Sequence, residues 1–374
     1  MTLALVHDWL NQNGGAEDVL EHLVRFFPDS PVYTSMYAPG LMPAEYRAWD
    51  IRSTWMDRLP GIHRHHQRYL PLYPLAFHNL DLSAYDVVLS NKSGFCHGIN
   101  VGTETLHICY CLTPTRYVWD LEAYLDREQF GRGVRAAARL VAKLYRRWDY
   151  AAAQRVGQFI AISTEVQARI QRIYGRECTI VYPPVEVAAR FAPSDVTDDY
   201  FLVVSRLVPY KRIDLAVQAC TQLGLPLIVG GQGRDRARLE AMAGPTVQFI
   251  GYVPDEDLPD LFARCRAFIF PGLEDFGITP VQAQAAGRPV IAFRGGGALD
   301  TVIPGKTGLL FAEPTVESLA GVLQTFDDAQ FDPAVLRAHA MQFDSAVFER
   351  AITGYVARAW DAFRAERSRR APSR

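Results

Sequence analysis

The sequence predicts an α/β protein of two domains, and three observations carry that prediction. The chain has 374 residues, a length that suits two domains of ordinary size. Short apolar runs that read as buried strands alternate with helical patterns along both halves. Pro183-Pro184 interrupts that alternation before a second set of strands opens at Tyr200. Composition agrees: 49% of residues are hydrophobic and 21% charged, as in a globular protein. A net charge of −2 supplies no global field to draw the chain to nucleic acid. No apolar run suits a transmembrane helix, and Met1–Asp8 is too short and too quickly polar for a secretory leader. The six cysteines lie far apart except Cys109 and Cys111, which share one face of a strand and read as reduced core residues. The expected location is the cytoplasm.

In the first half, Leu3–Val6 is a short buried strand, followed by His7-Asp8-Trp9 and then Asn13-Gly14-Gly15-Ala16-Glu17. Val19, Leu20 and Leu23 continue it as a helix. Gly14-Gly15 between a first strand and a first helix serves either a tight turn or a close approach of backbone to ligand. Further strands are expected at 32–34, 86–90 and 107–111. Between Arg58 and Pro74 the chain is basic, aromatic and broken by prolines. His63, His65 and His66 there lack a recognisable metal-ligand spacing, so a surface for an anionic partner is the better reading. His97 follows a strand end in Ser90-Asn-Lys-Ser-Gly-Phe-Cys-His97-Gly98 and is either a satisfied loop histidine or a site residue. Arg116, in Cys111-Leu-Thr-Pro-Thr-Arg116-Tyr117-Val-Trp119-Asp120, either binds a phosphate or pairs with Asp120. A long helix over 132–156 carries Arg132, Arg135, Arg139, Lys143, Arg146 and Arg147 among Val134, Leu140, Val141 and Leu144. That is a solvated face or an amphipathic membrane-surface face. A strand over 158–163, a helix to Tyr174 and a strand over 179–182 complete this half.

In the second half, the strand 200–204 runs into Ser205-Arg206-Leu-Val-Pro-Tyr-Lys211-Arg212 and a helix. Two basic groups five apart at a strand-to-helix turn suit a diphosphate, or are surface charge. The strand 226–229 leads into Gly230-Gly231-Gln-Gly233, which lacks the full glycine spacing of a dinucleotide fingerprint and fits a turn near a nucleoside. Next comes 247–253, ending in Tyr252 and Val253. The apolar runs 267–270 and 289–293 flank Glu274-Asp-Phe276-Gly277-Ile278-Thr279-Pro-Val-Gln282, a loop and short helix. Thr279 is the expected N-cap, Pro280 the first helical residue and Gln282 the partner in a capping box, with Gly287 as the stop. Open α/β sheets bind ligands at this edge, and a helix N-terminus suits a phosphate. A final helix is expected over about 346–367, with a basic, frayed tail beyond it.

Glu274-x-Phe-Gly, followed by Gln282-Ala-x-Ala-x-Gly287, resembles the donor-site motif of the retaining glycosyltransferases of family 4, which have the GT-B fold. Gly14-Gly15-Ala-Glu17, Ser93-Gly-Phe-x-His97-Gly98, the 111–120 segment and Ser205-Arg206-x-x-x-x-Lys211-Arg212 resemble further segments of that family, in the same order. The resemblance implies two doubly wound Rossmann-like domains facing across a cleft: residues 1–190 on the acceptor side, residues 191–345 binding the donor, and a helix from 346 to 374 crossing back to the first. It implies donor contacts from Gly14, Gly15, Arg206, Lys211, Gly231, Tyr252, Val253, Glu274, Phe276, Gly277, Ile278, Thr279 and Gln282, and acceptor contacts from Arg116, Tyr117 and Trp119. His97, Glu274, Arg206 and Lys211 would carry the chemistry. Three positions depart from the family pattern: Gln282 stands for a glutamate, Leu112 for a histidine and Asp300 for a glutamate. The closest likeness is to bacterial mannosyltransferases of surface-polysaccharide assembly. The implied partners are a nucleotide-diphospho-sugar such as GDP-mannose, a glycan or polyprenyl-linked acceptor and an anionic membrane. No cofactor is implied, and no metal, since no Asp-x-Asp pair stands out in a strand-end loop. The rival readings are a sugar-nucleotide-binding subunit without turnover and a nucleotide-sugar epimerase of the same fold.

Overall fold

The computed structural model describes residues 1–121 and 132–370, leaving aside the side chains of Tyr117, residues 132–138 and Arg370. The chain divides into two units, Met1–Tyr182 with Phe348–Arg374, and Pro183–Val347. The boundary falls eight residues before the expected one. Residues 183–190 go with the second unit because Val185 N donates to Phe343 O at 3.0 Å and Ala188 N to Asp344 Oδ2 at 2.9 Å.

In the first unit the inner apolar runs form parallel strands with both faces covered and are buried almost throughout, while the two edge strands are half-buried or exposed. They are β1 (Leu3–His7), β2 (Val32–Thr34), β3 (Ile51–Ser53), β4 (Val87–Lys92), β5 (Leu106–Cys111), β6 (Gln158–Ala161) and β7 (Cys178–Ile180). Their order in the sheet is β3-β2-β1-β4-β5-β6-β7. The edge strand β3 was not expected: its Ile-Arg-Ser sequence is half-buried or exposed and has no apolar run to reveal it. The long basic helix spans Arg132–Arg155. The final helix spans Ser345–Arg370 and buries Phe348, Ile352 and Val356. The Phe348 ring lies 6.0 Å from Phe26 and 5.6 Å from Tyr110, so this helix closes the first unit's core.

The second unit holds β8 (Phe201–Val204), β9 (Leu227–Gly230), β10 (Val247–Gly251), β11 (Ala267–Phe270), β12 (Val290–Phe293) and β13 (Gly308–Phe311). They are parallel in the order β10-β9-β8-β11-β12-β13. Both sheets therefore reverse their strand order once, between β1 and β4 and between β8 and β11. In an open sheet, such a reversal leaves a crevice at the carboxyl ends of the two strands.

The first core contains a pH-sensitive group. His107 on β5 is buried, with Nε2 2.9 Å from Ser90 Oγ. Burial, then His97 and Arg155, push its pKa down to about 3. The folded ring stays neutral while an unfolded histidine takes up a proton below its ordinary 6.5. Stability is thus full above that value and is lost as pH falls toward the folded one. About 2 kcal/mol should go between pH 6.5 and pH 5 from this ring alone. Urea unfolding against pH should show a shallower slope for His107→Gln than for the wild type. Identical slopes would assign the acid sensitivity to other groups.

Candidate active site

At the β8/β11 reversal two loops leave the sheet side by side. The first runs from Ser205 to Lys211, which ends a 3₁₀ turn over Pro209–Lys211. The second runs from Pro271 to Gly277. Lys211 Nζ forms an ion pair with Glu274 Oε2, and both side chains are more than four-fifths buried, at 15% and 19% exposure. Ser205, Lys211, Pro271, Gly272 and Glu274 line a small pocket here. Arg206 is exposed, and its Nη2 donates to Tyr210 Oη at 3.2 Å. The Lys211 ammonium lies 5.5 Å from the Tyr210 ring centre, so Tyr210 links the two cations. This arrangement places two positive charges and a carboxylate where an open sheet takes its ligand.

The helix after the second loop spans Ile278–Ala285 and starts earlier than expected. Its N-cap is Gly277, and Thr279 lies inside the first turn, so the Thr279–Gln282 capping box does not form. Gly277 adopts φ 100°, and a Cβ there would sit 2.9 Å from the Phe270 ring, so only glycine turns the chain into the helix at this point. Ile278, Thr279 and Gln282 are half-buried. Phe276 is buried with its ring 5.6 Å from Phe343, and Gly297 N donates to Glu274 O at 2.8 Å, which steadies the Glu274 loop. The amide that anchors the helix is Gln284, which is fully buried and donates to Thr301 O at 2.6 Å. The expected stop holds, with Gly287 at φ 76°.

Gly231 follows β9 beside the Arg206 loop, where Ser205 N donates to Gly230 O at 3.0 Å and Leu207 N to Gln232 O at 2.9 Å. Tyr252 and Val253 follow the edge strand β10; Tyr252 is exposed and Val253 half-buried. An Asp-x-Asp sequence does follow β10, contrary to the sequence reading. Its Asp255 lies 3.8 Å from Arg190, and its Asp257 stands at the N-cap position of the helix Leu258–Arg264 without a side-chain cap bond.

At the β1/β4 reversal Gly14 and Gly15 are exposed at the start of the helix Gly15–Phe26. His7 Nε2 lies 3.3 Å from Glu17 Oε1 beneath them, and Asn91 Nδ2 donates to Ala16 O at 2.8 Å. His97 does not line an open site: its ring is fully buried, 5.7 Å from Trp148, with Nε2 3.3 Å from Asp149 Oδ1. Burial, then the Lys92 ammonium, push its pKa below the ordinary histidine value. Asp149 also receives Thr115 Oγ1 at 2.5 Å, Trp119 Nε1 at 2.7 Å and Tyr174 Oη at 2.7 Å. Burial opposes its charge, but His97, the Lys92 ammonium and Thr115 outweigh burial and hold its pKa below the usual carboxylate range. Lys92 is itself buried and donates to Thr113 O at 2.9 Å and Thr115 Oγ1 at 3.2 Å. Asp8 accepts from four successive backbone amides, Ser93 to Cys96, at 2.6–2.8 Å. The indole N–H of Trp119, assigned to an acceptor, is thus turned to Asp149, while Arg116 is half-buried at the start of the helix Arg116–Trp119. The Tyr117 side chain lies outside the described residues. Leu112 is buried at 9% exposure. The sequence reading missed Asp8, Lys92 and Asp149. A usable signal was Asp149 itself, an acidic residue near the end of a helix rich in arginine.

Among the described residues, no group of three or more His, Cys, Asp or Glu side chains forms around the histidines near 63–66. His63 Nε2 lies 2.8 Å from Asp57 Oδ1, a carboxylate partner that the sequence reading lacked, and His66 packs 5.0 Å from the Trp9 ring.

Residues 186–333 match the family of glycosyl transferases group 1. A GDP-mannose-dependent alpha-mannosyltransferase of Mycolicibacterium smegmatis is 37% identical over 108 residues, a stretch covering 29% of this chain and 28% of that protein. An O-antigen chain mannosyltransferase B of Escherichia coli is 32% identical over 161 residues, 38% of this chain and 42% of that protein. The matched stretches therefore span less than half the length of either relative. The crystal structure of Anabaena Alr3699/HepE in complex with UDP superimposes with a TM-score of 0.70 at 19% identity, covering 96% of this chain and all of that one. The two parallel-sheet domains and this superposition give the chain the GT-B fold, and its residues 186–333 are similar to glycosyl transferases group 1.

Proposed function

We propose that the protein transfers a mannosyl group from a nucleotide-diphospho-sugar, GDP-mannose, to a glycan or polyprenyl-linked acceptor, with retention at the anomeric carbon. The observation that carries this reading is the meeting of Lys211 and Glu274 in a pocket at the β8/β11 reversal, with Arg206 on the same loop. The mannosyltransferase relatives support the sugar. Lys211 and Arg206 neutralise the leaving diphosphate, assisted by the amides at the start of the 278–285 helix, and Glu274 holds hydroxyls of the sugar. The bond from C1 to the diphosphate breaks as the acceptor oxygen bonds C1 from the same face. The acceptor proton passes to the leaving phosphate oxygen, which gives a glycoside and a nucleoside diphosphate without a metal. Incubation with GDP-mannose, and in parallel with UDP-glucose, tests the reading by release of nucleoside diphosphate. Tight binding without release would make the chain a sugar-nucleotide-binding subunit. Interconversion of two nucleotide sugars would make it an epimerase.

Gln282 sits where the family pattern puts a ribose-binding carboxylate. An amide accepts one hydroxyl and donates to the other, a weaker pair than two charge-assisted bonds. Gln282→Glu should tighten the ribonucleotide by about 1 kcal/mol and leave a 2′-deoxy analogue unchanged, as read by calorimetry. Unchanged ribonucleotide affinity would remove Gln282 from the ribose.

The membrane contact rests on the helix Arg132–Arg155. Leu140, Val141 and Leu144 are 66%, 46% and 59% exposed, with Lys143 and Arg147 exposed among them. Arg146 leaves this stripe, since its Nε donates to Val118 O at 2.9 Å. Arg132, Val134 and Arg135 have side chains outside the described residues. Arg58, Arg64, Arg68 and Leu75 are exposed on the 58–75 segment, and Phe95 touches both segments, 5.6 Å from Tyr73 and 6.1 Å from Tyr145. An apolar patch rimmed by cations suits an anionic bilayer. No helix among the described residues is long and apolar enough to cross one. The protein should pellet with vesicles containing phosphatidylglycerol and less so in high salt, and Leu140→Ser/Leu144→Ser should reduce pelleting. Equal pelleting with neutral vesicles would count against an electrostatic contribution.

A further inference from the structure

Among the described residues, Arg212 is the only one other than glycine at positive φ, with φ 51° and ψ 34°. A side chain disfavours this left-handed conformation, because its Cβ crowds the following carbonyl. Such an outlier persists where the surrounding structure fixes it, often beside a functional group. Arg212 directly follows Lys211 and caps the helix Ile213–Leu223. Its guanidinium does not explain the conformation: Nε reaches Asp214 Oδ1 at 3.2 Å, a partner two residues away, and the side chain is 37% exposed.

The backbone shows what the turn accomplishes. Arg212 N donates to Pro209 O at 3.1 Å, closing the 3₁₀ turn, and Leu215 N donates to Arg212 O at 3.1 Å, opening the helix. One left-handed residue therefore joins the two, and Lys211 stands at the junction with its ammonium on Glu274. The opposite side is closed by Gly272, two residues before Glu274. A Cβ at Gly272 would lie 2.9 Å from Lys211 O and 3.1 Å from Lys211 Cα. The Lys211 backbone is thus held between a strained turn and a glycine that admits it.

We infer that Arg212 and Gly272 are positioning residues for Lys211: they hold its ammonium at the place of the donor diphosphate, Arg212 through its backbone conformation and not its charge. The inference rests on the donor-site reading above. Calorimetry with GDP or UDP, whichever the wild type binds, and with the matching nucleoside monophosphate tests it, with melting curves recorded alongside. Arg212→Gly keeps the left-handed turn and should bind the diphosphate within about twofold of wild type, although it deletes a guanidinium. Arg212→Val is β-branched and disfavours the turn, and should weaken the diphosphate about tenfold or more while the monophosphate loses less. Gly272→Ala should reproduce that pattern, and serves if the valine variant does not fold. The inference is overturned if Arg212→Gly weakens the diphosphate as much as Arg212→Val, since the guanidinium would then be the ligand. It is equally overturned if both ligands weaken alike or neither does. A wild type that binds no nucleoside diphosphate refutes the donor-site reading itself, and this inference with it.

Discussion

Lys211→Ala and Arg206→Ala are each expected to cut turnover of the sugar nucleotide by about 10²–10³-fold, the range seen when one donor to a developing oxyanion is removed. In the proposed reaction the bond to the diphosphate breaks only as the charge gathering on it is neutralised, and these two cations share one loop beside the pocket. Stability should hardly follow. Arg206 is exposed and bonds only Tyr210 among the contacts described, so its loss should stay within about 0.5 kcal/mol. Lys211 leaves Glu274 without its ion pair, but that carboxylate keeps 19% exposure and can take up water, so the cost should be about 1 kcal/mol. Release of nucleoside diphosphate and urea unfolding, measured on the same preparations, separate the two effects. A double variant that still turns over the donor would remove the diphosphate assignment.

The two cations were legible in the sequence because spacing alone put them at one strand-to-helix turn. Glu274 was legible for the same reason, since the apolar run Ala267–Phe270 ends four residues before it. The helix start was not. Thr279-Pro-Val-Gln282 is a good capping sequence, but the chain turns at Gly277, where the Phe270 ring allows no Cβ. Local propensity named a start, and tertiary packing chose another. The burial of His97 was not legible for a related reason. A histidine after a strand end reads alike whether it faces a ligand or the core, and the residue that decides, Asp149, lies 52 positions further on. The helix over 132–155 was legible as amphipathic, but its pattern could not say which face is covered. In the fold Ala142 and Asp149 face inward, and Leu140 and Leu144 stay bare.

Asp149→Asn should destabilise the first unit by about 3–5 kcal/mol, because it removes one member of a buried charge network and leaves the others in place. Lys92, wholly buried, reaches the carboxylate through Thr115, whose Oγ1 lies 3.2 Å from Lys92 Nζ and 2.5 Å from Asp149 Oδ1. With the carboxylate gone, the ammonium keeps only neutral oxygens from Thr113 and Thr115 among its hydrogen-bond partners. Trp119 Nε1 and Tyr174 Oη share one carboxylate oxygen, Oδ2, and Thr115 Oγ1 takes the other, Oδ1, so an amide with a single acceptor serves either that pair or Thr115 and turns its NH₂ toward the other. The turn that carries His97 packs on the same helix, with Gly98 so close to Trp148 that a Cβ would sit 2.3 Å from its ring. Loosening Asp149 therefore loosens the loop after β4. Lys92→Met alone should also destabilise, while the double variant Lys92→Met/Asp149→Asn should cost less than the sum of the two, because it removes both charges together. Urea unfolding of the three variants measures that coupling. A loss below about 1 kcal/mol for Asp149→Asn, or strict additivity with Lys92→Met, would mean that the two charges do not depend on each other.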